Sequence, residues 1–460
     1  MTTSVRVSPG PRTPAPTVDH ATVHRAWWRP RLEGATTPSR LGLLLALLIV
    51  LSLAWGILAA LTANQHSAAA SDVVAVSEPL SLDAEQIYTS LSDADATAAN
   101  AFLAGGLEPA PARQRYNAAI TQAAIRIEAA SALVGSAAAR TQLPGHLAAQ
   151  ASAADSAIGD DLAILSGQLP TYTDEVGTAR ADNRLGLPLG AAYLREASAL
   201  LRGTLLPAAS DIDSRESGLL TSASAQATGL PLMVVTVVVG LGIGYVLYRS
   251  SRWLARHTHR LVNYGLLLAA LVGLVSLVWL AAAFVVGRAD LLHAQQQGSA
   301  PVQAFARAEV AALQAHADES LTLIDNAGDD DYQKDFLAQQ KLLGPGPGTL
   351  LAAVQASGGT GIAADARAWY QAHAALRAKD DGGDHAGAVQ SALTGDAAAK
   401  FARLSGDLSD GINAHQAVFA SSARSGRDAF TGLAAGMIVA SLVMVAGCVW
   451  GLTRRLAEYR

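Results

Sequence analysis

The chain has 460 residues, 51% of them hydrophobic and 15% charged, with aromatics held to 5%; this aliphatic, alanine-rich composition favours helices. A formal net charge of -5 excludes a nucleic-acid partner, because no basic stripe is available to neutralise phosphates. The single cysteine, Cys448, lies in an apolar run and excludes an intrachain disulfide, a cysteine-based zinc site and a lipid-modified N-terminal cysteine.

Residues 1–40 are rich in Pro, Ser and Thr and cannot bury a core, so they read as a disordered cytoplasmic leader. Trp27 and Trp28 beside Arg29 and Arg31 fit an interfacial anchor. The run at 41–63 is long enough to cross about 30 Å of hydrocarbon. Small residues in "SAAASD" (67–72) offer a cleavage site, but the apolar core and the leader are both longer than a signal peptide needs, which favours an uncleaved anchor.

Three further runs, 230–248, 264–287 and 432–452, meet the same length criterion. None of the four carries Asp, Glu, Lys, Arg or His, the residues that mark ion pathways, which weighs against a channel or a transporter core. The pairs Gly240 with Gly244, Gly432 with Gly436, and Gly447 with Gly451 have the spacing of close helix contacts, within a chain or in a homo-oligomer. Basic residues set the orientation: Arg25, Arg29, Arg31 and Arg40 precede the first span, Arg249, Arg252, Arg256 and Arg260 fill the loop 249–263, and Arg454, Arg455 and Arg460 occupy the tail 453–460. Both termini are therefore expected in the cytoplasm of a cell with this protein in its plasma membrane, and 64–229 and 288–431 outside.

In 64–229 apolar positions recur at coiled-coil spacing in four stripes, starting at Leu80, Tyr116, Leu147 and Leu194. Breaks at "GGLEPAP" (105–111), "LPG" (143–145) and "GLPLG" (186–190) separate them, which predicts an up-and-down four-helix bundle whose first helix continues the first span. Asp93, Asp95 and Asn100 then face water or a partner. The region 288–431 repeats the plan, with a stripe from Val302 to Ile324 and later helices at 363–379 and 384–430. Asp318 precedes Gly328 by the ten residues that separate Asp95 from Gly105, a faint internal repeat. The expected fold is thus an all-α membrane protein with four transmembrane helices and two extracytoplasmic helical bundles.

Few motifs carry chemistry. "DNAGDDD" (325–331) lacks the glycine and the bidentate Glu of a calcium loop, and "GPGPGT" (344–349) lacks the Lys of a phosphate loop, so both read as turns. His316, His373, His385 and His415 have no zinc spacing and read as solvated helix positions. No metal, cofactor or catalytic site is predicted. Asp95, Arg113 and Arg115, near the predicted bundle tip, are the candidate ligand or partner contacts outside. Arg249, Arg252, Arg256 and Arg260 are the candidates inside, for anionic lipid or an acidic partner.

The stretches "IYTSLSDADATAANAFLAGG" (87–106), "RQRYNAAI" (113–120), "YQKDF" (332–336) and "LGPGPGTLLA" (343–352) resemble the GlnX-type membrane proteins of high-GC Gram-positive bacteria over nearly the whole chain. That resemblance implies a non-enzymatic relay that takes an amino-acid signal from an extracytoplasmic solute-binding lipoprotein to a cytoplasmic Ser/Thr kinase. The external regions are also similar to the four-helix sensing domains of chemoreceptors, although no cytoplasmic coiled coil follows the spans. The alternatives are a cell-envelope scaffold or an accessory subunit of a transporter.

Overall fold

A computed structural model of the protein describes residues 37–106, 108–135, 145–228, 230–258, 263–325 and 331–457, and among these every regular element is a helix. Arg25, Arg29, Arg31, Arg260, Arg460, the tryptophan pair, the "LPG" break and most of "DNAGDDD" lie outside the described residues.

α1 (Thr37–Asp72) passes through one π turn at Val73–Ser77 directly into α2 (Glu78–Leu103). The first span, "SAAASD" and the first stripe are therefore a single helix. The same design recurs where α8 (Tyr264–His293) runs through a π turn at Ala294–Ser299 into α9 (Ala300–Asp325). A third π turn, Leu201–Leu205, links α5 (Leu189–Leu200) to α6 (Leu206–Thr228). Each ends just ahead of a proline at the second position of the next helix: Pro79, Pro207 and Pro301. A proline lacks the N–H for the ladder and its ring crowds the carbonyl four residues earlier; one wide turn relieves both conflicts without ending the helix. Pro170 sits inside α4 (Gly145–Arg184) with no such turn.

Four helical stretches are long and apolar enough to cross a membrane, which makes this a multi-pass membrane protein. They belong to α1, α7 (Leu230–Thr258), α8 and α15 (Leu433–Ala457). α15 packs on both α1 and α8, and α7 closes the group against α1 and α8. Glycine permits the close backbone approach of α8 and α15: a Cβ on Gly265 of α8 would lie 2.4 Å from the Gly447 carbonyl and 2.5 Å from Gly451 of α15. Asn263, which caps α8, donates through Nδ2 to the Gly451 carbonyl at 3.0 Å and fastens the same crossing. Elsewhere Gly240 faces the Trp55 ring, whose Nε1 donates to Ser276 Oγ at 3.1 Å. Gly244 meets nothing within 4 Å.

Because α7 and α8 join through a short connection, both polar regions rise from the same end of this apolar group. In the first, the four stripes bury Leu91, Ala123, Leu165 and Leu201 among others in one core, drawn from α2, α3 (Ala110–Gly135), α4, α5 and α6. The chain turns at Gly105 (φ 81°) and Gly186 (φ 67°), in the left-handed region that glycine tolerates. The second region holds α9, α10 (Asp331–Leu343), α11 (Leu350–Ala356), α12 (Ile362–Asp381), α13 (His385–Leu393) and α14 (Asp396–Asp428). One predicted helix, 384–430, is in fact two, divided at Thr394 and Gly395, where the backbone leaves the helix and turns extended at Gly395.

The two regions keep separate cores that adjoin along one helix pair. α2 and α9 lie against each other, Leu321 of α9 joins the first core and Ala96 of α2 joins the second. The alanine seams explain this: small side chains on two faces of α2 let it serve both cores at close distance.

Candidate functional site

The α2–α9 pair forms one wall of a cleft of about 580 Å³, within the size range of small-molecule sites. α3 and α14 form the other. Thr89, Ser90 and Asp93 come from α2, Arg115 and Gln122 from α3, Glu309 from α9, and Ser405 and Ser409 from α14. Arg115 holds Asp93 with a fork of hydrogen bonds, Nη2 to Oδ1 at 2.7 Å and Nε to Oδ1 and Oδ2 at 3.0 and 3.2 Å. Its side chain stays 53% exposed, so the guanidinium faces the cleft as well as its partner. Glu309 is buried; loss of hydration, reinforced by Asp93 and opposed by Arg115, raises its carboxyl to about 7. The cleft thus combines one fixed cation, one fixed anion, an acid poised to give up its proton, and several hydroxyls.

Of the residues singled out by sequence, Asp93 and Arg115 line this cleft. Arg113 pairs with Glu108 at 3.0 Å in the α2–α3 connection, and Glu108 also meets Arg180, which lies over the Tyr116 ring at 3.9 Å. Arg113 is thus part of a structural network there. Asp95 is not an open tip contact: it is 4% exposed, accepts from Ser198 Oγ at 2.9 Å and lies 3.6 Å from Arg202 Nε. On its other side Arg202 Nη1 reaches Asp318 Oδ1 at 2.5 Å, so Asp95 and Asp318 bracket one buried arginine from α5–α6. Asn100 is also drawn inward and donates to the Ala392 carbonyl at 3.3 Å.

Arg249, Arg252 and Arg256 are exposed on α7, which continues helically through residue 258 where a loop was expected, and Arg252 donates to Tyr248 Oη at 3.1 Å. Two of the four histidines read as solvated are buried. His373 Nδ1 lies 2.7 Å from Glu319 Oε2 and its ring stacks on Phe336, while His316 stacks on Phe401 and lies 3.4 Å from Glu319 Oε1. The signal for these sites was a charged residue inside an otherwise apolar stripe, as at Arg202, Glu309 and Glu319.

The fold and cleft define an all-helical, multi-pass membrane protein with a polar head continuous with its spans. Residues 69–225, from the end of α1 through most of α6, match the family model of the Actinobacterial sensor domain. That part of the chain is similar to actinobacterial sensors, which supports a sensing or signalling role. No curated protein and no solved structure matches the chain.

Proposed function

We propose that the protein is a non-enzymatic transmembrane relay that receives an amino acid, free or presented by a solute-binding lipoprotein, in the Asp93–Arg115–Glu309 cleft. The observation carrying this reading is the course of the cleft's walls. α2 continues into the first span, α9 continues from the third, and α14 reaches the fourth through the four residues 429–432.

An α-carboxylate can take over the Arg115 fork, and an α-ammonium can take Asp93 and the ionised Glu309. A zwitterion therefore competes with the Asp93–Arg115 bond that ties α2 to α3, and draws α9 and α14 toward the same ligand. Any change in their spacing reaches two spans through unbroken helix and a third through the short turn at 429–432.

In this reading the polar head is extracytoplasmic, both termini are cytoplasmic, and the exposed arginines of α7 meet anionic lipid or an acidic partner such as a Ser/Thr kinase. The test is crosslinking of the membrane-embedded full chain with and without L-glutamate or L-aspartate, followed by mass spectrometry of captured proteins, in parallel with R115A. The expected result is capture of a lipoprotein and a kinase whose yield depends on the amino acid and loses that dependence in R115A. Envelope-assembly proteins captured at a yield the amino acids do not alter would instead establish a scaffold.

A further inference from the structure

The first cleft is built from α2 and its follower α3, together with α9 and the returning helix α14. The shared plan of the two halves makes α9 the counterpart of α2, because each follows a span and a π turn, has 26 residues, and carries a proline at its second position. It likewise makes α10 the counterpart of α3, and α14 the counterpart of α6, which each return the chain to a span. Exchanging these roles predicts a second cleft bounded by α9, α10, α2 and α6.

That cleft exists. It measures about 380 Å³ and is lined by those four helices, with α11 at its edge. Its α2 and α9 residues lie on different faces of the two helices from those of the first cleft.

Its chemistry parallels the first with the roles redistributed. Arg307 of α9 is exposed and forms no ion pair with any described residue, so its guanidinium is available. Glu85 of α2 and Asp213 of α6 supply two carboxyls within electrostatic reach of it. Tyr88 hydrogen-bonds Gln314, which accepts from Gln339 Nε2 at 2.9 Å, while Gln339 Oε1 is buried with no hydrogen-bond partner among the described residues. Burial is the chief cause that raises Glu85 to about 8, with Asp213 and Glu309 adding and Arg307 opposing. Glu85 is half-buried at the cleft, and Arg307 offsets its burial only in part, which leaves room for the charge an ammonium group would bring.

We infer that the cleft between α2, α6, α9 and α10 is a second seat for a small zwitterion, whose carboxylate takes Arg307 and whose ammonium takes Glu85 and Asp213. The class of ligand follows from this cleft's own residues, so the inference does not need the first seat to be correct.

The test is calorimetric titration of the full chain in lipid nanodiscs with L-glutamate, L-aspartate, L-glutamine and glycine in turn, on wild type, R307A, R307K, E85Q and R115A. Two binding events per chain are expected across the panel. R307A and E85Q should weaken one of them at least tenfold and leave the other within about twofold, since each removes a charge-assisted contact. R307K should retain part of the affinity, and R115A should affect only the other event. One event lost in R115A but untouched in R307A and E85Q overturns the second seat and leaves the proposed function standing. An event lost in R307A but untouched in R115A keeps the second seat and removes the first. No binding to wild type overturns both.

Discussion

Glu319 is fully enclosed beside two imidazoles in the second core, with Gln333 holding the far nitrogen of His373 at 3.2 Å. Burial alone would raise its carboxyl, but the hydrogen bond with His373, and the electrostatic pull of His373 and of His316 at 3.4 Å, outweigh it and hold the group near 2. The folded value lies below the unfolded 4.5, so the stabilisation is complete above 4.5 and is lost as the pH falls through about 2. That difference corresponds to about 3 kcal/mol. Denaturant unfolding of the full chain in detergent, followed by near-UV circular dichroism between pH 6 and 3, should show stability falling below 4.5, and E319Q should flatten that fall. An unchanged slope in E319Q would mean that other acids carry the acid sensitivity. No sequence cue separates these histidines from His415, which is half-buried against the Phe305 ring and bonds the Gln297 carbonyl, because burial depends on which helix covers the face.

At the scale of helices, Arg202 is the group that the two halves of the chain share. It sits in the π turn between α5 and α6 and faces Asp95 of α2 and Asp318 of α9. Burial raises Asp318 to about 7 even against the attraction of Arg202, so the ion pair does not fully compensate for lost hydration. R202M should leave two buried carboxyls without a counter-charge and cost roughly 3 to 5 kcal/mol. The triple variant D95N/R202M/D318N removes all three charges and should recover most of that loss. Thermal unfolding of the three proteins in nanodiscs checks this, and a triple variant no more stable than R202M would show that packing around the arginine, not charge, sets the cost.

The stripe of α2 was legible because Leu80, Ile87, Leu91 and Ala98 repeat at helical spacing and every one of them is buried. The faint match of Asp95 with Asp318 was legible too. What joins them was not, because an apolar stripe shows that a face is covered without showing by which helix. Alanine makes this worse: its seams fit α3 and α9 equally closely. The first cleft was half visible, since Arg115 could be chosen from its place after a turn, whereas Glu309 and Ser405 enter only once α9 and α14 are set beside α2.

In the molecule as a whole, α15 is the element that joins the three spans descending from the first cleft. It continues from α14, which lines the first cleft, and packs between α1 and α8, which continue into the other two cleft helices. Its tight crossing with α8 at Gly265, Gly447 and Gly451 lies at the end remote from the head, and the fully buried Cys448, next to Gly447, meets Ser52 of α1. Close glycine contact resists continuous deformation, so displacement there takes the form of sliding or rotation between two packed arrangements. Cys448, the chain's single cysteine, is therefore a native reporter of whether the spans move. Alkylation of the nanodisc-embedded chain by a membrane-permeant maleimide should change in rate by at least about threefold when L-glutamate or L-aspartate occupies the first cleft, and the change should vanish in R115A. Equal rates with and without ligand, in a sample whose binding is verified by calorimetry, would confine the response to the head and remove the relay through α15.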